Sequence, residues 1–326
     1  MAPTEISLTR LHEARARIAD ALHVTPLLAS RTLSERVGAP VWLKCENLQK
    51  TGSFKVRGAL HRLLRLTDEE RGRGVSTISA GNHAQAVAWA AAAAGVRSLV
   101  VMPEGASPTK VRASRAYGAE VVLHGDAKAA FARVREISEE RGLTFVHPFD
   151  DVEVVTGHAS CGLEILEQLP DVRTIVVPVG GGGLSSGIAS AVAASDARAD
   201  VWGVEPEGAP AMHRSLAAGA AVHLESVATV ADGLAAPMAG VLNHAILAEH
   251  AAGVELVRDD EIVDAMRVLL ERAKLVVEPA GAAGLAGLLS GRIPIEPGPV
   301  VVVISGGNVD LDRLGALLAR PADAGA

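Results

Sequence analysis

Eight short runs rich in β-branched residues alternate along this chain with Ala- and Leu-rich stretches of helical periodicity, and that alternation leaves few architectures open. The runs are Val41–Lys44, Val75–Ile78, Ser98–Met102, Glu120–Leu123, Thr174–Val179, Val201–Val204, Val254–Leu256 and Val300–Ile304. Strands interleaved with helices predict an α/β protein with mostly parallel sheet. Among the helices, Asn82 starts an Ala-rich one that Gly95 stops, and Asp259 precedes the helical run Ile262–Lys274. Several strands end in Gly, Ser or Asn and pass straight into a helix. Ligands in such folds bind beyond the carboxyl ends of strands, so chemistry is expected at Ser79–His83, Gly180–Gly183 and Ser305–Asn308.

A chain of 326 residues suits two domains. No repeat or low-complexity linker marks a boundary, so topology has to place it. A cleft between domains needs the chain to cross it twice, which predicts a smaller domain at 74–150 inserted into a larger one made of 1–73 and 151–326. Hydrophobic residues at 49% against charged residues at 21% exclude wholesale disorder. A net charge of −7 and only eight aromatic side chains exclude nucleic acid as a partner, because both the electrostatic and the stacking terms are missing. The longest apolar stretch, Ala86–Val96, is about half a membrane span, so no membrane segment is expected. The polar start, with Glu5 ahead of any apolar run, reads as no signal peptide, and the seven residues 320–326 read as frayed. Cys45 and Cys161 stand alone without framework spacing, which fits a reducing cytoplasm. Metal-binding patterns are missing, and His83, His147 and His158 are expected to be capping or core residues rather than ligands.

Four segments can carry chemistry. In Lys50-Thr-Gly-Ser-Phe-Lys55-Val-Arg-Gly58, Lys55 opens a helix beside Phe54. The positive helix end and desolvation both favour its neutral amine, the form that attacks carbonyls. In Ile175 to Gly187, four glycines separate strand from helix and let backbone N–H groups converge into a cup for a phosphate dianion. A dinucleotide fingerprint fails there by one residue in both registers. A GxSxG nucleophile elbow is literally present as Gly183-Leu-Ser185-Ser-Gly187, so a serine hydrolase drawing on Asp232 with His244 or His250 stays open. In Ser79-Ala-Gly-Asn-His-Ala84, a hydroxyl, an amide and free N–H groups can hold a carboxylate, or form a plain helix cap. The fourth segment, Ile304-Ser-Gly-Gly-Asn308, sets a hydroxyl at a strand end.

In this order, and with Thr25-Pro-Leu27, Lys44-Cys-Glu-Asn-Leu-Gln49, Val146-His-Pro148 and Val277-Glu-Pro279, these segments resemble the fold type II pyridoxal-phosphate enzymes. The likeness spans almost the whole chain and is to the threonine/serine dehydratase and serine racemase branch. It implies a two-domain, tryptophan-synthase-beta-like fold with an open twisted parallel sheet in each domain, flanked by helices. The larger domain would bind pyridoxal 5′-phosphate and the smaller would close over the substrate. It further implies that Lys55 is the catalytic residue and carries the cofactor as a Schiff base, that Phe54 packs at its ring, and that Asn82 bonds its 3′ oxygen. Gly180, Gly181, Gly182 and Gly183, with the backbone of Leu184, would hold the phosphate. Ser305 would face the pyridine nitrogen. Ser79, Ala80, Gly81, Asn82 and His83 would grip the substrate carboxylate. The activity implied is conversion of L-threonine or L-serine to 2-oxobutanoate or pyruvate plus ammonia, by a homodimer.

Departures from the family pattern refine this. Racemase members resembling this chain carry serine where Ala80 stands, and a methyl group cannot move a proton, so dehydration is expected to outrun racemisation. Serine racemase, or a dehydratase of another β-hydroxy amino acid, is the alternative. Metal-activated members match at Glu205 but have a second acid where Ala211 stands, which leaves no metal expected. The family's GlnGlyThr reads His158-Ala-Ser160 here, followed by Cys161, and is expected to reshape one cleft wall. Regulatory C-terminal domains of biosynthetic threonine dehydratases have no counterpart, so end-product feedback is not expected.

Overall fold

The computed structural model describes residues 5–319. The segment 320–326, read above as frayed, lies outside the described residues. Two sheets carry the fold. The larger comprises β1 (Leu27–Ala29), β2 (Val41–Cys45), β7 (Thr174–Pro178), β8 (Asp200–Pro206), β9 (Gly253–Val257) and β10 (Val300–Ile304), in the order β1-β2-β10-β7-β8-β9. Every pairing is parallel except β1 with β2. The smaller comprises β3 (Val75–Ile78), β4 (Ser98–Met102), β5 (Glu120–Leu123) and β6 (Thr144–Phe145), all parallel, in the order β5-β4-β3-β6.

Strands of this kind are buried on both faces, which is why they read as continuous apolar runs rather than alternating ones. β10 shows it plainly. Val300, Val302 and Ile304 join one hydrophobic cluster, Val301 and Val303 the other, and none of the five is exposed to solvent. β4 divides likewise, Val100 and Met102 to one side, Leu99 and Val101 to the other. The eight anticipated strands all form, with ends shifted by at most two residues. β1 and β6 escaped the sequence because runs of three and two residues are too short to display any period.

The anticipated Ala-rich helix runs Asn82–Ala94 and stops at Gly95 in the left-handed region, φ 66°. Its N-cap, however, is Gly81, and the Asn82 side chain does not cap it. The second anticipated run divides into the helix Asp259–Val268 and a π-helical turn Leu269–Ala273.

The helix carrying Lys55 (Lys55–Leu64) is held by a buried charge cluster. Arg57 donates to Glu46 and to Glu164, and Lys44 donates to Glu164 at 2.6 Å. All four side chains are almost wholly shielded from solvent. Two cations face two carboxylates, so the cluster is neutral and its hydrogen bonds offset the cost of desolvating it. Gly157 lets the Val152–Gln168 helix approach closely, since a Cβ there would lie 2.8 Å from the Gly58 Cα.

Candidate active site

The carboxyl ends of β3, β7 and β10 and the start of the Lys55 helix converge on one cavity of about 260 Å³. Its position follows from short backbone links. Ser53 bridges Gly306, the Phe54 N–H donates to the Ser305 carbonyl at 3.1 Å, and the Gly307 N–H donates to the Gly52 carbonyl at 2.9 Å. The turn before Lys55 is thereby stitched to the loop after β10, although more than 200 residues separate them.

Phe54, Lys55 and Ser305 line the cavity, as do all of Ser79–His83 and Gly180–Leu184, so every site residue named from the sequence comes to one place. Lys55 Nζ donates to the Pro148 carbonyl at 2.8 Å and stands 5.1 Å from the Phe54 ring centroid. Burial lowers its pKa to about 8, while the nearby Glu278 carboxylate acts in the opposite direction. A sizeable neutral fraction of this amine is therefore present near neutral pH.

Opposite lies the glycine turn. Gly182 has φ 96°, which favours glycine, and a Cβ on Gly181 would strike the Phe149 ring. No side chain caps the helix Gly183–Ala193, so its first N–H groups lack partners within the helix and border the cavity. This is a cradle that fits a phosphate and that side chains would fill. Past the end of β3, Ser79 Oγ accepts from the Gly81 N–H at 3.0 Å and shapes the loop, and past the end of β10 Ser305 is buried at the cavity wall. His83 is buried and neutral, because burial and then the charge of Lys55 hold its pKa well below the usual range. Its Nε2 meets the Val146 carbonyl at 3.3 Å and its Nδ1 has no partner.

Asn82 acts differently from a cap. Its Nδ2 donates to Glu278 Oε1 at 2.5 Å and its Oδ1 accepts from Asn308 Nδ2 at 2.9 Å. Glu278, Lys110, Phe149 and the turn Asp232–Leu234 also line the cavity and were missed as site residues. Of these, Asp232 was named from the sequence only as the acid of a hydrolase. Glu278 stood in the sequence as Val-Glu-Pro, an acid just before a proline-started helix, with nothing local to say that its carboxyl is buried.

Two expectations need correction. The segment His158–Ser160 is no cleft wall: its residues are buried, and none lines the cavity. His158 instead accepts from the Gly58 N–H at 3.2 Å and meets the Phe54 ring edge-on at 4.8 Å, backing the Lys55 helix from behind. The hydrolase elbow fails too. Ser185 is 1% exposed, its hydroxyl donates back to the Gly182 carbonyl, and neither His244 nor His250 is hydrogen-bonded to it. Asp232 pairs with Lys110 and Arg313 instead. Glu205 caps the helix Ala211–Ala218, accepting from the N–H groups of Met212 and His213, and burial pushes its pKa up to about 8. Among the described residues, no group of three or more His, Cys, Asp or Glu is placed to hold a metal, and no helix is long and apolar enough to cross a membrane.

Comparison with known proteins agrees with this geometry. Residues 18–306 match the family described as pyridoxal-phosphate dependent enzyme. An L-threonine ammonia-lyase of Geobacter sulfurreducens is 46% identical over 96% of this chain and 78% of its own length. A catabolic L-threonine dehydratase of Escherichia coli is 42% identical over 95% of both chains. Among solved structures, maize serine racemase superposes with a TM-score of 0.91 at 37% identity, covering 95% of this chain and 96% of that one. The serine racemase of Dictyostelium discoideum gives 0.87 at 38%, covering 94% and 99%, and a threonine deaminase gives 0.88 at 44% with the same coverage. The chain therefore belongs to the pyridoxal-phosphate dependent enzymes of fold type II, in the threonine/serine dehydratase and serine racemase branch, with pyridoxal phosphate as its cofactor.

Proposed function

We propose that this protein is an ammonia-lyase converting L-threonine to 2-oxobutanoate, or L-serine to pyruvate, with release of ammonia. The observation that carries the reading is the meeting of a buried, readily neutral Lys55 amine and the Gly180–Gly183 cradle in one cavity. The names of the threonine ammonia-lyase and threonine deaminase relatives support the substrate class.

In this reading the N–H groups of Gly180–Leu184 hold the phosphate, Phe54 packs at the ring, the Asn82 amide donates to the 3′ oxygen, and Ser305 meets the pyridine nitrogen. Held there beside Lys55, the cofactor would supply an aldehyde for amine exchange and a ring that withdraws electrons from the substrate Cα. Ser79 and the backbone through His83 bind the substrate carboxylate at the start of a helix, where free N–H groups favour an anion. Lys55 Nζ, once exchanged for the substrate amine, takes the Cα proton. Ser305, a neutral hydroxyl, would not keep a ring nitrogen beside it charged as a carboxylate would, which suits elimination of the β-hydroxyl as water. The water released is taken up again when the product hydrolyses to oxo acid and ammonia, so the net reaction is redox-neutral.

We assign residues 74–150 to the small domain that closes on the substrate and 1–73 with 151–326 to the cofactor domain. The two separate sheets support that division. The unpaired, buried Cys45 and Cys161 support a cytoplasmic setting. We further propose a homodimer, which ultracentrifugation tests. The function itself is tested by 2-oxo acid release from a panel of β-hydroxy amino acids. Absence of product from both threonine and serine rejects it.

A further inference from the structure

We propose that Glu278 and Asn308 are positioning residues for Asn82, fixing its amide so that an N–H, and never the oxygen, is turned toward the cavity. The inference rests on the ammonia-lyase reading above and adds two residues to its site.

The argument is one of polarity passed along a chain. The Thr51 carbonyl can only accept, and Asn308 Nδ2 donates to it at 2.7 Å. That fixes the orientation of the Asn308 amide, whose same nitrogen donates to Asn82 Oδ1 at 2.9 Å. Asn82 must then present Nδ2 on its other side, where Glu278 Oε1 accepts it. One hydrogen of Nδ2 is left for whatever occupies the cavity. Turning the Asn82 amide over would set NH₂ against NH₂ at Asn308 in either state of Glu278, and oxygen against oxygen at Glu278 when that acid is ionised, leaving hydrogen bonds unmade in a buried place.

Space for the chain is cleared by glycines that the proposed cofactor contacts do not explain. A Cβ on Gly52 would lie 3.0 Å from the Asn308 amide carbon. One on Gly306 would strike Glu278 Oε1 and stand 3.2 Å from Asn82 Nδ2. Thr51 itself is held at φ 60°, a left-handed conformation that a threonine rarely adopts, with its carbonyl bonded to Asn308. Glu278 is 3% exposed and is faced by Lys55, Lys110, Asp232 and Arg313 from four different elements. Its Oε1 can accept from Asn82 whether or not the other oxygen is protonated, so the orientation survives titration of the acid.

The test is equilibrium titration of the apoprotein with pyridoxal 5′-phosphate, read with the visible absorbance of the bound cofactor and far-UV circular dichroism. Asn82→Ala and Glu278→Leu should each weaken binding about tenfold and shift the absorbance band, whereas Glu278→Gln, whose amide oxygen still accepts, should stay within about twofold of wild type. The double variant Asn82→Ala/Glu278→Leu should bind no more weakly than the worse single one, because both act through the same amide. Asn308→Ala reads the chain from its other end and decides the matter if Glu278→Leu does not fold. Losses that multiply in the double variant, or an unchanged band and affinity in Glu278→Leu and Asn308→Ala, overturn the proposal. A wild-type protein that takes up no pyridoxal 5′-phosphate would instead overturn the functional reading, a result distinct from a coloured protein indifferent to these substitutions.

Discussion

Arg57 grips Glu46 through two parallel hydrogen bonds, Nε to Oε2 at 2.7 Å and Nη2 to Oε1 at 2.8 Å, two residues beyond Lys55 on the same helix. The pair is dry, so removing one partner strands a charge. Arg57→Ala is expected to lower stability by about 3–5 kcal/mol, as breaking a buried pair does. Denaturant unfolding of the apoprotein measures it, and a loss below about 1 kcal/mol, the range of exposed pairs, contradicts the role given to this cluster.

In the proposed reading Lys55 serves both capture of the cofactor and turnover. Lys55→Ala should reduce ammonia release at least about a thousandfold, within the range for loss of a positioned acid–base group, with circular dichroism unchanged. Borohydride treatment of the wild type should leave its label on Lys55 and nowhere else.

The acidity of that amine sets a pH dependence. Its pKa is lowered to about 8, so the reactive neutral form grows as pH rises and is nearly complete one unit above that value. The rate at which apoprotein takes up pyridoxal 5′-phosphate should therefore rise through pH 7 and level off above about 8 to 9. A rate still climbing at pH 10 would mean an ordinary, solvated lysine.

Ala80 borders the cavity beside Gly81. With a methyl group there, pyruvate should form from L-serine at least about tenfold faster than D-serine, because proton delivery by a second positioned group is missing. Ala80→Ser should raise the D-serine share. Chiral chromatography of the products decides, and comparable rates in the wild type would refute the assignment.

Lys110 and Asp232, both lining the cavity, meet at 3.1 Å, and Arg313 shares the same carboxylate oxygen. Burial disfavours the Asp232 charge, yet the two cations outweigh it and hold the carboxyl below its usual pKa. A depressed acid stabilises the paired form above its unfolded pKa and loses that contribution as pH falls through the lower folded value. Asp232→Asn should raise KM for threonine a few-fold with a smaller change in kcat, since a partly exposed pair contributes at most about 1 kcal/mol. An equal fall in kcat alone would place the pair in the chemical step instead.

Long apolar strands and the glycine turn were legible in the sequence because each has a local cause: burial on both faces makes β10 apolar throughout, and a left-handed turn selects glycine at 182. Lys55, Asn82 and Ser305 were legible through motif and order. Glu278 and Lys110 were not, because what makes them site residues is burial and a partner more than 100 positions away, which no spacing records. His158 misled for the converse reason. Its neighbours in sequence suggested a wall, but the face of the helix it occupies packs against Phe54. Asn82 looked like a cap because Asn often is one, and Gly81 took that position while the amide found Glu278.

The stitching of the Lys50–Phe54 turn to the loop after β10 has a consequence for how the protein is made. During synthesis the amine-bearing segment leaves the ribosome more than 200 residues ahead of its neighbours at Ser305–Asn308. The wall that Ser305 supplies is therefore absent until that loop has been made, so the cavity is completed long after the segment that bears the amine.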